Sequence, residues 1–407
     1  MTKTTAPLLR RAPVLALLAA EVISSTGSLM RSVALPWFVL TATGSPAHTS
    51  LVVAAQLLPV IVFGVPSGSL VARLGARRTI LAADFLWAPL VAMIPALHFA
   101  GLLSFPLLLT LAFLIGLFSA PYYAAEVVVL IEVVGEDDRL LGKANALFQT
   151  AARTTYLAGP ALAGPLIAVV GAPNVLLLDA ATFLVSFGLI AAFVPPTRRA
   201  LQVFAFRDLL SGVRSLTTDP LLRAWSVAQV GSQSAFQALA IALPILAFLR
   251  YSQDPKVAGL LLAAWGGGAL AGGLLAYPAV SWWQPLALGR TAWLIYALPL
   301  WALVTYIPAQ EAAALLVISG LGNGLRNPPI MATMTLRIPA SHRSQAMTAF
   351  SSAATAGGLV SVSTTGVVAQ VARPSFVFIG IAALATASAV FFLVMTFVVD
   401  AAIKRAG

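Results

Sequence analysis

The amino-acid sequence predicts an all-α integral membrane protein: twelve transmembrane helices in two pseudo-symmetric six-helix bundles. Three observations carry this. Of 407 residues, 60% are hydrophobic and only 9% charged, where a soluble globular chain carries about 25% charged residues. A surface with so few charges must face lipid. The apolar residues fall into twelve runs, each near the length of about 20 residues that crosses a hydrocarbon core. The basic residues cluster between those runs on one side, as membrane topology requires.

The runs occupy roughly 13–41, 48–72, 78–99, 102–126, 142–169, 174–195, 222–249, 257–279, 284–306, 311–332, 345–370 and 374–398. The short breaks carry turn chemistry, as in Thr43-Gly44-Ser45-Pro46, Gly171-Ala172-Pro173-Asn174 and Ile307-Pro308-Ala309. Membrane helices tolerate the 30 glycines and 26 prolines. Asp219-Pro220 opens the seventh run, with proline at a helix start.

With the N-terminus placed in the cytoplasm, 18 of the 24 Lys and Arg residues fall on the cytoplasmic side, from Lys3, Arg10 and Arg11 to Lys404 and Arg405. Outside lie only Arg250, Lys256 and Arg373; Arg31, Arg153 and Arg326 fall within spans. The bias predicts a multi-pass protein of a bacterial cell (inner or plasma) membrane with both termini cytoplasmic. The basic start, Met1 to Arg11, reads as part of that pattern rather than as a cleaved signal peptide, because Glu21 interrupts the apolar run that follows. The net charge of +11 does not point to nucleic acid, since no basic patch interleaved with aromatics occurs. There is no cysteine, so disulfides and thiolate metal sites are excluded.

The longest cytoplasmic piece, Pro196 to Arg223, sits at the midpoint. It divides an N-terminal bundle (1–195) from a C-terminal one (222–407), with a linker at 196–221. Within the linker Phe206, Leu209, Leu210, Val213 and Leu216 share a helical face, and Arg207, Asp208 and Arg214 lie elsewhere. An amphipathic helix on the membrane surface is expected there. The halves repeat. Leu51 to Ala55 with Gly64 matches Leu260 to Ala264 with Gly273 at an offset of 209. Arg139 corresponds to Arg343 at 204, and Pro121 to Pro328 at 207. The near-constant offset fits two parallel six-helix halves.

Specific motifs then carry a family resemblance. Gly68-Ser69-Leu70-Val71-Ala72-Arg73-Leu74-Gly75-Ala76-Arg77-Arg78 resembles the signature G-x-L-A-D-R-x-G-R-R/K between spans two and three of the major facilitator superfamily, with Ala72 at the aspartate and Ala76 at one arginine. Gly159-Pro160-Ala161-Leu162-Ala163-Gly164 in span five is similar to the G-P-x-x-G-G signature of its antiporter branch. Ala82-Ala83-Asp84, Ala144-Asn145-Ala146-Leu147, Leu178-Asp179-Ala180-Ala181-Thr182-Phe183 and Arg337-Ile338-Pro339 resemble the macrolide-efflux and siderophore-exporter subgroup. The resemblance implies the major facilitator fold and assigns Gly68, Arg73, Gly75, Arg77, Arg78, Asp84, Gly159, Pro160 and Gly164 to gating or structure. Leu107 to Ala120 lacks the span-four arginine of many proton-coupled drug exporters.

Ionisable side chains inside a membrane cost on the order of 3 kcal/mol at a helix centre, so each is a candidate for function. Glu21 in span one is the first. Ser25, Ser28 and Ser32 follow at +4, +7 and +11 on its face. A carboxyl group lining a water-filled cavity suits a reversible proton carrier; a hydrogen-bonded structural acid is the other reading. Glu126 either faces the same cavity or sits in the headgroup layer beside Glu132. Arg153 pairs with Glu21 or Glu126, or meets an anionic substrate. Asp84 is read as structural or gating, favoured by the dipole at the start of its helix with Arg77 and Arg78 as available partners, and Asp179 is read as structural. Arg31 and Arg326 are expected to snorkel to the outer and inner surfaces.

Gln229, Gln233 and Gln237 stand one turn apart in span seven, with Phe236 adjacent. Three amides would be costly against lipid, so they line a substrate cavity or bond a neighbouring helix. Asn323 and Asn327 beside Pro328-Pro329 suggest a kink or gate. Trp282 and Trp283 read as interface anchors. No catalytic constellation, cofactor motif or phosphate-binding loop appears. The three histidines, His48, His98 and His342, fall in predicted loops too far apart for a metal.

Together these readings describe a secondary transporter rather than an enzyme: a proton-coupled exporter of small hydrophobic or amphiphilic compounds, a drug or a secreted metabolite, working by alternating access. The expected partners are that substrate, protons and the bilayer, with the chain a monomer. A facilitator or importer of the same fold, or a non-transporting membrane scaffold or sensor, shares the composition. The polar stripes at Glu21 and Gln229 speak against the scaffold.

Overall fold

The computed structural model describes residues 8–135, 137–196, 206–339 and 342–406. Lys3, Arg198 and Arg199, counted above among the cytoplasmic charges, lie outside them. In chain order the helices are α1 (Ala12–Thr43), α2 (Pro46–Leu74), α3 (Ala76–Phe99), α4 (Phe105–Leu117), α5 (Ser119–Val134), α6 (Asp138–Val170) and α7 (Ala172–Phe193). There follow α8 (Phe206–Thr218), α9 (Pro220–Arg250), α10 (Pro255–Trp282), α11 (Pro285–Ala297), α12 (Ala309–Arg337), α13 (Arg343–Val371) and α14 (Pro374–Ala406). The pairs α4–α5, and α11 with the 3₁₀ segment Leu298–Val304, each make one crossing. With the short α8 set aside, twelve crossings result.

The breaks have local causes. Gly75 and Gly171 take φ of +86° and +83° between α2 and α3 and between α6 and α7, where an L side chain would be strained. Asp137, Asp219 and Asp254 cap α6, α9 and α10 by accepting backbone N–H bonds, and proline follows Asp219 and Asp254 at the first helical position. Asp219 also pairs with Arg337 at 2.9 Å, tying the start of α9 to the end of α12. Partial burial pushes the Asp219 carboxyl up, but the bonds from Arg337 and from the Leu221 and Leu222 amides outweigh this and hold it below its ordinary value.

Ten of the twelve crossings are long and apolar enough to span a membrane on composition alone. The other two, α6 and α12, have 33 and 29 residues. They are long enough but carry Lys143, Arg153, Asn323, Arg326 and Asn327. Polar groups at that depth need protein or water beside them.

The chain packs as two compact units. One comprises residues 1–35 and 58–204, the other 36–57 and 205–407. The division falls at Pro36 within α1 and just before Pro59 within α2, where each proline removes a helical hydrogen bond. In the second unit α10 and α12 meet backbone to backbone. A Cβ on Gly268, Gly272, Gly320 or Gly324 would overlap the facing main chain at Val317, Leu321, Trp265 or Ala269 respectively. This is the small-residue spacing by which membrane helices approach closely.

The expected amphipathic helix forms as α8. Gly212 lies against the Gln345 backbone of α13, Ser211 donates to the Gln345 amide oxygen at 3.0 Å, and Leu216 is buried. Leu210 and Val213 remain exposed, which leaves apolar surface for lipid. The side chains of Phe206, Arg207, Asp208 and Leu209 lie outside what is described. Trp282 and Trp283 are exposed at the end of α10, as interface anchors should be.

Candidate functional site

In the first unit the polar residues of α1 organise around Glu21. Ser25 donates to the Glu21 carboxylate at 2.5 Å, which puts the predicted serine face to use one turn on. The Glu126 side chain of α5 stands within electrostatic range of Glu21. Glu126 is not at the helix end, since α5 runs on to Val134, about 12 Å past it at 1.5 Å per residue. The expected pairing of Arg153 with either acid is not seen: among the described residues Arg153 makes no ion pair or hydrogen bond.

A third acid stands near. Asp84 of α3 is fully buried and accepts from Ser186 of α7 at 2.7 Å. It also feels the charge of Glu21. The pairing with Arg77 and Arg78 does not form. Asp84 lies two turns along α3 from Arg77, whose guanidinium instead donates to the Ala191 carbonyl at 2.7 Å. Tyr122 closes the group. Its ring packs on Trp87 at 4.9 Å, which in turn packs on Phe183 at 5.0 Å.

Arg31 does not snorkel. Its Nε meets the Asp179 carboxylate at 2.6 Å, with side chains 12% and 0% exposed, and Ser28 accepts a weaker bond from its guanidinium. A paired charge gains nothing by reaching for the surface. Gly27 allows the pair, since a Cβ there would overlap Asp179 and Thr182 of α7. Gly159, in the span-five motif, plays the same part against Leu29. Gly68 does not: a Cβ there meets nothing within 4 Å.

In the second unit Arg326 of α12 is 2% exposed, which overturns the expected snorkelling. Its guanidinium lies 3.9 Å from the Trp293 ring centroid and 4.7 Å from that of Tyr296. It donates to Gln229 at 3.0 Å, to Asn323 at 2.8 Å and to Ser232 at 2.5 Å. Gln229 in turn donates to Asn327 at 3.0 Å, and Asn327 to Asn323 at 3.3 Å. Aromatic faces and neutral acceptors thus hold this cation inside the unit.

Of the glutamine stripe, only Gln229 bonds across to another helix. Gln233 and Gln237 are half-buried and make no hydrogen bond among the described residues. Phe236 stacks on Trp265 at 4.3 Å. His48 and His98 lie in the first turn of α2 and the last turn of α3 rather than in loops.

Sequence reasoning missed the joining of Arg326 to the asparagines. The signal was present: Asn323, Arg326 and Asn327 are spaced i, i+3, i+4 on one helical face.

The family described as transmembrane secretion effector matches residues 2–405. The multidrug efflux pump Tap of Mycolicibacterium fortuitum is 27% identical over 280 residues, covering 67% of this chain and 68% of that protein. Tap of Mycobacterium tuberculosis is 27% identical over 275 residues, 65% of each chain. An uncharacterised major-facilitator-type transporter of Bacillus subtilis, YvqJ, is 24% identical over 177 residues, covering 44% of this chain and 41% of that one. Among solved structures, the nucleoside transporter NupG superposes with a TM-score of 0.76 at 9% identity, over 94% of this chain and 99% of that one. A bacterial homologue of the lysosomal transporter Spinster gives 0.69 at 13%, over 95% and 96%. At these identities the superpositions establish the fold: twelve helices of the major facilitator type.

Proposed function

The chain belongs to the transmembrane secretion effector family of major facilitator transporters, and from that premise we propose that it is a proton-coupled exporter of small amphiphilic compounds. The observation that carries the coupling is that Glu21 and Glu126, on different helices, stand within electrostatic range of each other. A pair so placed holds one proton between its two carboxyl groups, and loss of that proton leaves two anions side by side. Their repulsion opposes the packing of α1 on α5. Proton occupancy and helix arrangement are thereby linked, which is what antiport by alternating access requires. Ser25 holds the Glu21 carboxylate in place. Asp84, buried and within electrostatic range of Glu21, adds a third acid to the group. The Mycolicibacterium relative's name, multidrug efflux pump, supports export and a hydrophobic or amphiphilic substrate.

The test uses inside-out vesicles and a panel of fluorescent drugs. Wild-type protein should accumulate substrate under an imposed proton gradient and lose accumulation on adding an uncoupler. Glu21→Gln and Glu126→Gln should abolish gradient-driven accumulation while keeping substrate exchange at equal concentrations. Equilibration without accumulation, with or without the uncoupler, would make the protein a facilitator, and accumulation indifferent to the uncoupler would rule out protons as the coupling ion. A Glu21→Gln variant with wild-type rate and pH dependence would remove the pair from the coupling step.

A further inference from the structure

We propose that the Arg326 ring of the second unit is a binding subsite for the oxyanion of an amphiphilic substrate, a carboxylate above all. The case starts from hydrogen-bond valence. Arginine has only donors, so the amide oxygens of Gln229 and Asn323 must face it. That fixes the orientation of both amides. The nitrogen of Gln229 then donates to the Asn327 oxygen, and the nitrogen of Asn327 donates to the Asn323 oxygen. The four side chains close a ring: Arg326, Gln229, Asn327, Asn323 and back to Arg326.

Every amide oxygen in the ring accepts from within it. What is left over is mostly donor: one N–H of Gln229, one of Asn327 and both of Asn323, against one spare lone pair each on the Gln229 and Asn327 oxygens. These three residues are half-buried, so their spare N–H groups have an accessible side, whereas Arg326 behind them does not. Among the described residues no carboxylate pairs with Arg326, and its Nε is buried without a hydrogen-bond partner. The ring therefore carries an unneutralised positive charge, with four spare N–H donors on its accessible residues. A ligand oxygen with negative charge accepts from those donors and offsets the charge. An ammonium group would find two spare lone pairs against four donors and a like charge. Two turns along α9 from Gln229, Phe236 stacked on Trp265 offers aromatic surface for an apolar body.

This inference rests on the transporter reading for its occupant, but its test does not use transport. The full chain in zwitterionic phosphatidylcholine nanodiscs is titrated, without any gradient, with pyrenebutyrate, its methyl ester and pyrenebutylamine, and empty nanodiscs are subtracted. Pyrenebutyrate should bind about tenfold tighter than the ester or the amine, the size of one charge-assisted hydrogen bond. Asn327→Asp puts a carboxylate into the ring and should reverse that order. Asn327→Leu should weaken pyrenebutyrate alone. Replacing Arg326 risks the fold, so the rim variants carry the test. Amine binding equal to or tighter than carboxylate in the wild type, or an unchanged order in Asn327→Asp, would overturn the proposal. So would loss of pyrenebutyrate binding when phosphatidylglycerol is added to the nanodisc, which would assign the ring to a lipid headgroup. A failed proton-coupling assay with intact pyrenebutyrate selectivity leaves the subsite standing, and the converse leaves the exporter standing.

Discussion

Two arginines of the same apparent kind, Arg31 and Arg326, show how much one residue's surroundings decide. Arg31 is neutralised by Asp179 at 2.6 Å. Arg326 is surrounded by rings and amides and keeps its charge. The consequences of mutation differ accordingly. Asp179→Asn removes the carboxylate from a buried ion pair, and removing one partner of such a pair costs roughly 3–5 kcal/mol. Thermal unfolding in detergent should show a large drop for Asp179→Asn. Much of it should return in the double variant Arg31→Met, Asp179→Leu, because an apolar pair removes both desolvation penalties. If Asp179→Asn melts with the wild type, the pair is not holding α1 to α7. The cross-helix partners of both arginines were not legible from the sequence. Position along a run says how deep a charge lies, but Asp179 and Gln229 stand on other helices more than 90 residues away; only Asn323, one turn from Arg326, left a local signal. Glu21 was legible because a lone carboxyl in an apolar run has so few possible explanations. Its nearness to Glu126 was one of two open readings, because the end of the fourth run was read eight residues short.

At the scale of the element, the apolar run length made nearly all helices legible, and the turn residues placed their ends to within a few positions. The two most polar crossings, α6 and α12, lie near the limit of that signal and carry many of the residues of interest. What the sequence held but periodicity alone did not reveal is the glycine face between α10 and α12. Gly268 and Gly272 are four apart, as are Gly320 and Gly324, and each Cβ would fall on opposing backbone. Backbone cannot rotate away as a side chain can. Gly272→Leu or Gly320→Leu should therefore cost more than the typical 1–3 kcal/mol of core overpacking, perceptible as about 5 °C or more in melting temperature. Both should also disturb the Arg326 ring, since α12 carries three of its four members. Gly68→Ala is the control. It belongs to the span-two signature, yet its Cβ has open space, so its melting temperature should stay at the wild-type value. A Gly272→Leu protein as stable as wild type would mean the two helices do not pack on this face.

At the scale of the whole molecule, the helices alternate direction however the chain is inserted, so their packing is silent on orientation. The charges are not. Of the 24 Lys and Arg residues, 18 fall on one predicted side and three on the other, and a bias of that size predicts the orientation of a multi-pass chain. The prediction is that the α8 linker is cytoplasmic and the turn before α12 is outside. The absence of cysteine makes the test clean, because every introduced thiol reports only on itself. Thr217→Cys in α8 and Gln310→Cys at the start of α12 both replace exposed side chains. In intact cells a membrane-impermeant maleimide should label Gln310→Cys and spare Thr217→Cys. In inside-out vesicles the pattern should invert. The opposite result would turn the molecule over, and with it the direction assigned to transport: protonation of the Glu21–Glu126 pair from the side of high proton concentration drives export only if that side is the one Gln310 faces.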